Sequence, residues 1–308
     1  AELLYGKAFD ALKAGDYPAA ISGMRDFLAA NPDHELADNA QYWLGEAFYV
    51  TRDYDNAIVA FTTVGQRWPQ SSKAPDAMLK LGTCQMRQAA LIAVPAERAP
   101  IIQAARTTFQ KIAQQFPQAP QAAQAKMENA KCQALAGDKG GAINELRQFT
   151  ADPWQNSPVA PFAVMAMATL LREQNQPQPA ADALAAARAK HEPGLQKDPE
   201  RIALLRYHHG LALQEAGKFL EARVPLDSIT QLVPNKPITA EAALRSAQCR
   251  IADGRKTIET ARQQLANTGL KPEQIGAANN LIAQGNAALN ESAQTLERRS
   301  DEFKQSLG

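Results

Sequence analysis

The chain has 308 residues, with 33 Lys and Arg against 32 Asp and Glu, a net charge of +1. That balance offers no electrostatic basis for nucleic-acid binding or for adhesion to an anionic membrane, and no apolar run approaches the ~18 residues of a membrane span. Leu, Ala, Gln, Glu, Lys and Arg dominate, Gly and Pro are clustered, and β-branched runs are nearly absent, so the chain reads as all-helical.

In chain order, the opening "AELLYGKAFD" already lies inside a helical pattern with no targeting segment ahead of it. The chain is therefore expected to be a piece trimmed from something longer. "GDYPAAISGMRDFLAANP" (residues 15–32) recurs as "RDYDNAIVAFTTVGQRWP" (residues 52–69). Asp16-Tyr17 matches Asp53-Tyr54, Ala20 matches Ala57 and Pro32 matches Pro69, each 37 residues on. Leu44-Gly45 returns as Leu81-Gly82 at the same offset, and the alanine series runs Ala20, Ala57, Ala105, Ala142, in steps of 37, 48 and 37. The odd step is one period plus 11 residues, which places an insertion in the internal turn of the third repeat, between Cys84 and Ala104. It is expected to lengthen the flanking helices or to project as a loop, because added loop length costs little entropy.

"GDKGG" (residues 137–141) lacks the GK[ST] ending of a phosphate loop and falls at the interhelix turn of the fourth unit. "APFAVMAMATLLREQNQPQPAADALAAARAKH" reads as a fifth helix pair. "YHHGLALQEAGKFLEARVPL" reads as a sixth, with Gly210, Gly217 and Phe219, and Ala222 in the glycine, turn and alanine positions and Pro234 closing it. "TAEAALRSAQCRIADGRKTIETARQQLANTG" is a degenerate seventh pair, expected to break at Asp253-Gly254. From Glu273 to about Leu307 there is no Pro, and one long helix is expected. The organisation is thus residues 1–119 with three well-matched units, 120–235 with units four to six, and 236–308 with the seventh unit and the terminal helix, all one continuous stack.

The repeated residues resemble the tetratricopeptide repeat, a helix–turn–helix unit with a W/Y-x2-L-G-x2-Y, A-x3-F and P pattern. The resemblance implies a right-handed α-solenoid of about seven helix pairs plus a long C-terminal helix, since one pair cannot bury its apolar face alone. Small residues belong where the two helices of a unit cross, so Gly45 and Ala57 are expected to face each other, with Phe48, Tyr54 and Phe61 filling the volume around them and Pro69 ending the second helix. "ADNAQYWLGE" and "KAPDAMLKLG", within residues 5 to 90, are similar to a narrower group, the C-terminal repeat domain of the TolA-binding cell-division coordinators (CpoB/YbgF type). The outer-membrane lipoprotein BamD shares the flavour. The likeness implies a bacterial, periplasmic protein that binds other proteins. Beyond it the chain inserts eleven residues and continues for about five further helix pairs.

In this repeat the first helix of each pair lines the concave surface. With units starting near Ala1, Asp38 and Pro75, the inward stripe is Glu2, Tyr5 and Phe9; Asn39, Tyr42 and Glu46; Asp76, Leu79 and Thr83, extended by Lys13, Tyr49 and Met86. Tyr5, Phe9, Tyr42 and Tyr49 are expected to form an aromatic wall with Asn39, Glu46 and Thr83 beside it, suited to a peptide or helix laid in a groove. A carboxylate clamp is not expected, because Tyr5 and Phe9 stand where the first unit would need Lys and Asn.

No catalytic, cofactor or metal site is legible. Cys84, Cys132 and Cys249 are scattered without CxxC spacing and read as small buried hydrophobes. His34 lies in a loop, His191 at a helix end where the dipole would favour its cation, and the adjacent His208 and His209 point about 100° apart on a helix. No HExxH, GxSxG or Cys–His arrangement is present. The reading is a non-enzymatic interaction scaffold with a protein or peptide partner. Two alternatives share the sequence: the helical superhelix of a larger envelope enzyme, such as a peptidoglycan lytic transglycosylase, or a spacer of a large repeat protein.

Overall fold

A computed structural model of the chain describes residues 1–307, with side chains as far as Arg298. Among the described residues there are fourteen α-helices and no strand. They form helix hairpins: α1 (Glu2–Lys13) with α2 (Tyr17–Ala30), α3 (Ala37–Val50) with α4 (Tyr54–Arg67), α5 (Ala74–Ala90) with α6 (Pro95–Gln115), and α7 (Gln121–Leu135) with α8 (Lys139–Arg147). The series continues with α9 (Ala160–Glu173) and α10 (Pro177–His191), α11 (Pro199–Glu215) and α12 (Phe219–Leu232), and α13 (Pro237–Leu265) and α14 (Pro272–Leu307). The chain divides into two compact units, Ala1–Val159 and Ala160–Gly308.

Five of the seven hairpin turns follow one rule. The first helix ends on a residue with left-handed φ: Gly15 at 79°, Arg52 at 63°, Gly137 at 99°, Asn175 at 56° and Gly217 at 74°. The following N–H then reaches five residues back to close the helix, as Asp53 N does to Phe48 O at 2.9 Å and Lys218 N to Leu213 O at 2.9 Å. In three of these turns the next residue is Asp, and its carboxylate caps the second helix: Asp16 accepts from Ala19 N, Asp53 from Asn56 N and Asp138 from Gly141 N. This accounts for "GDY", "RDY" and "GDK", and it gives "GDKGG" a structural role as turn and cap.

The hairpin crossings are tight for a different reason than the sequence implies. A Cβ on Gly45 would stand 2.7 Å from the Phe61 ring, and one on Gly82 2.5 Å from that of Phe109. At Gly210 the neighbour is Leu226, also at 2.5 Å. The glycine thus makes room for the large residue four positions after the alanine, not for Ala57 itself. Phe61, Phe109 and Leu226 are almost wholly buried, so each glycine admits a core side chain.

The eleven extra residues of the third hairpin are absorbed mostly as helix. Relative to α3 and α4, α5 is three residues longer, α6 seven, and the connection one. Pro100, the sixth residue of α6, forgoes one intrahelical N–H bond without ending the helix. At the other end, the expected break at Asp253-Gly254 does not occur: α13 runs unbroken for 29 residues, and its hairpin partner is the long α14. Gly254 instead marks a close approach of the two. A Cβ there would lie 3.0 Å from Gly285 O, and one on Gly285 2.8 Å from Gly254 O. A helix tolerates one interior glycine at about 1 kcal/mol, and here the missing side chain is what lets the backbones meet.

Candidate partner-binding groove

First helices of neighbouring pairs pack on one another, α1 on α3 and α5 on α7 in the first unit, α9 on α11 and α11 on α13 in the second. α1, α3 and α5 carry the residues of the sequence stripe. Tyr5 and Phe9 stack one turn apart on α1 with centroids 5.9 Å apart, and Phe9 meets Trp43 of α3 at 5.3 Å. Trp43, which the stripe omits, joins the two helices. Burial raises the pKa of the Tyr5 phenol, and the neighbouring Trp43 partly offsets the rise.

Tyr42 goes elsewhere. It is 8% exposed and belongs to the hydrophobic core, its ring 5.7 Å from Phe61 and 5.2 Å from Trp43. Burial, then the charges of Glu46 and Asp76, hold its hydroxyl protonated well above the usual phenol range. Leu79 of the stripe is likewise buried. Tyr49 is half-buried against the same core, with Tyr54 at 6.0 Å and the Lys80 ammonium 4.9 Å above its ring. The structure therefore brings Tyr5 and Phe9 together with Trp43, sends Tyr42 into the core, and leaves Tyr49 as a second aromatic position on the same helix as Trp43.

The polar residues link neighbouring hairpins. Lys80 Nζ of α5 lies 2.9 Å from Glu46 Oε2 of α3, with the two side chains 32% and 16% exposed. The same ammonium covers Tyr49, a contact that the three-to-four-residue stripe, confined to one helix at a time, does not reveal. Lys73 stands over Tyr42 and Trp43 at 5.2 and 5.5 Å. Asn39 Oδ1 and Glu46 Oε1 are buried and have no hydrogen-bond partner among the described residues. Thr83 is half-buried and donates its hydroxyl to Leu79 O at 2.8 Å, so its side chain is turned back on its own helix. Asp76 accepts from Gln121 of α7 at 2.6 Å, carrying the links on to the fourth hairpin.

The remaining titratable groups serve packing. Cys84 and Cys132 are buried, and desolvation pushes both thiols up to about 12, with Cys249 at about 11. Thiols so protonated are poor nucleophiles. His34 accepts from Leu36 N at 3.2 Å and packs edge-on to Phe27. His191 ends α10, but its cation is disfavoured: burial and then Lys190 lower its pKa, outweighing the helix dipole. Among the described residues no three His, Cys, Asp or Glu side chains gather as metal ligands, and no helix is long and apolar enough to cross a membrane.

Known proteins share this architecture. A model of the family described as YfiO, outer membrane lipoprotein, matches residues 1–192. The cell division coordinator CpoB of Pseudomonas putida is 44% identical over 45 residues, 15% of this chain and 17% of that protein, so the chain spans less than a fifth of that relative's length. A tetratricopeptide repeat protein from Parabacteroides merdae, 11% identical, superposes with a TM-score of 0.57 over 92% of this chain and 98% of its own. The apo form of RapI, 14% identical, reaches 0.51 over 98% of each chain. At such identities the likeness is one of fold, the tetratricopeptide-type helical repeat, which is typically a protein-interaction scaffold.

Proposed function

The chain belongs to the YfiO family of outer membrane lipoproteins, matched over residues 1–192, and from that premise we propose that it is a non-catalytic scaffold of the bacterial cell envelope, working in the periplasm, that holds a protein or peptide partner on the inner face of its first hairpins. The observation that carries this reading is the run of half-buried aromatic rings across neighbouring first helices, Tyr5 and Phe9 on α1, then Trp43 and Tyr49 on α3. Such rings bring large contact area at little rotamer entropy and are frequent interface anchors. Asn39, Glu46 and Lys80 fix the register of whatever lies across them.

A photoreactive amino acid placed singly at Tyr49, at Thr83 and at the exposed Val59 of α4 tests this in cells that make the protein. Covalent adducts are expected from Tyr49 and Thr83 and not from Val59, which is 63% exposed. Adducts from Val59 alone would move the partner to the outer face. The same adducts in cytoplasmic rather than periplasmic fractions would overturn the envelope assignment.

A further inference from the structure

The connection between α10 and α11 gathers charge that the groove of the first hairpins does not use. Ile202, Arg206 and His209 follow one another at helical spacing on α11 and so share one of its faces. Arg188 stands in the last turn of α10, and Glu192 opens the short 3-10 helix Glu192–Leu195 that follows. All five line one pocket of about 610 Å³.

Glu192 sits between the two guanidiniums. Its Oε1 accepts from Arg188 Nε at 2.6 Å and from Arg206 Nε at 3.2 Å, and its Oε2 accepts from Arg206 Nη2 at 2.9 Å. Burial acts to raise its pKa, but the hydrogen bonds from Arg206 and Arg188 outweigh burial and lower it, so it is ionised at neutral pH. Arg188 Nη1 lies 2.9 Å from His209 Nδ1. A guanidinium offers only donors, so Nδ1 accepts, and the neutral imidazole carries its proton on Nε2. Burial, and then the Arg188 charge, keep it neutral, its pKa pushed down to about 4. Asp182 and Glu221 act on His209 more weakly than Arg188 does, and neither lines the pocket. Each has its own partner: Asp182 accepts from Gln178 at 2.7 Å, and Glu221 pairs with Lys218 at 3.6 Å.

The charges lining the pocket therefore do not balance. Two cations face one anion, and the other lining residues, Ala189, Pro193 and Ile202 among them, are uncharged. The side chains of Arg188, Glu192 and Arg206 are 22%, 17% and 23% exposed, so water screens the excess only in part. Arg188 Nη2 and Arg206 Nη1 stand outside the bonds to Glu192 and His209 and are placed to donate to a second anion. One negative charge brings the pocket to neutrality. A dianion would overshoot and meet Glu192 as a like charge. The planar guanidinium fork matches a planar carboxylate.

We propose that this pocket binds one carboxylate, which Arg188 and Arg206 hold beside Glu192 while the apolar stem that carries it rests on Ala189, Pro193 and Ile202. The site is built from a second helix and the first helix of the next hairpin. It shares no residue with the groove of α1, α3 and α5, so the two sites stand or fall separately.

NMR of the whole chain, read at the Ile202 methyls and at the Nε–H groups of Arg188 and Arg206, tests the site with small probes. N-acetyl-leucine carries a chain-terminal carboxylate and N-acetyl-glutamate N-methylamide a side-chain one. Both should give saturable shifts, and the tighter of the two names the source of the carboxylate. N-acetyl-glutamine N-methylamide, the neutral isostere, and sulfate, a dianion, should each bind at least about tenfold more weakly. Arg206→Gln leaves one cation against one anion and should abolish saturable binding with the helical circular dichroism unchanged; Arg188→Gln takes its place should that variant fail to fold. Glu192→Gln leaves two unopposed cations and should tighten the carboxylates by about threefold or more and admit sulfate. Shifts that never saturate, a glutamine probe or sulfate binding as tightly as the carboxylates, or unchanged affinity in the arginine variant would each overturn the proposal.

Discussion

Gly45 and Phe61 occupy the same space at the crossing of α3 and α4: a methyl on the glycine would stand 2.7 Å from the ring edge. Phe61 has 0% exposure and nowhere to retreat. Gly45→Ala is expected to cost on the order of 1–3 kcal/mol by overpacking, with Gly82→Ala costing the same against Phe109. Urea unfolding measures both. Parent-like stability in Gly45→Ala would mean that the crossing is looser than described.

Arg52 offers the reverse case. It takes a left-handed φ of 63° at the turn position where three other hairpins have glycine. That conformation costs a residue with a Cβ about 1–2 kcal/mol, of which the greater unfolded-state freedom of glycine returns roughly 0.5–1 kcal/mol. Arg52→Gly should therefore stabilise by up to about 1 kcal/mol, read as a higher urea midpoint at unchanged slope. A lower midpoint would show that the Arg52 side chain contributes more than its backbone costs.

Lys80 bridges two hairpins through Glu46 and covers Tyr49. Lys80→Met leaves a mostly buried carboxylate without its cation and should destabilise by about 1–3 kcal/mol. Glu46→Gln together with Lys80→Met should recover part of that loss. A double-mutant cycle with a coupling energy near zero would reduce the pair to an incidental contact.

His208 is held neutral inside the second unit, its pKa pushed down to about 4 by burial, with the Arg172 charge adding to the effect. His209 is lowered likewise, by burial and then by Arg188. In the unfolded chain both titrate near 6.5, so between about pH 6.5 and 4 the unfolded state binds more protons than the folded one. Stability is expected to be full above that window, to fall as pH drops through it, and to level off below it. The His208 share is on the order of 1–3 kcal/mol. His208→Gln should flatten the pH dependence of urea unfolding, whereas an unaltered profile would mean that the imidazole stays hydrated in the folded protein.

The hairpin array was legible because its punctuation is local: the turn residue, the capping Asp of three turns and the crossing glycine of three hairpins recur at related positions. The continuous α13 was not, because Gly254 looks like a helix breaker until Gly285, 31 residues later, is known to lie against it. Helical periodicity assigned Tyr42 to a stripe of one helix face, but it says nothing of depth, and Tyr42 is buried. Its ring reaches Phe61 of the next helix, and neither distance nor partner is written within α3. Trp43 and Lys80 escaped for the matching reason: each acquires its role from the neighbouring hairpin, and no pattern within one helix announces it.

The bridges between hairpins are also unlike at their two ends. Glu46 reaches forward to Lys80, whereas the residue one 37-residue period before Lys80 is Trp43. A duplicated second hairpin would thus set the Glu46 carboxylate against an indole where an ammonium now stands. The backbone period would accept such a copy, but the side chains would not. Tyr207 and Glu241, bonded at 3.0 Å across α11 and α13, make a second mismatched link of the same kind. The hairpins are therefore not interchangeable beads: their order along the chain is encoded at each junction, and gain or loss of a whole repeat by recombination would break the bridges on either side of it.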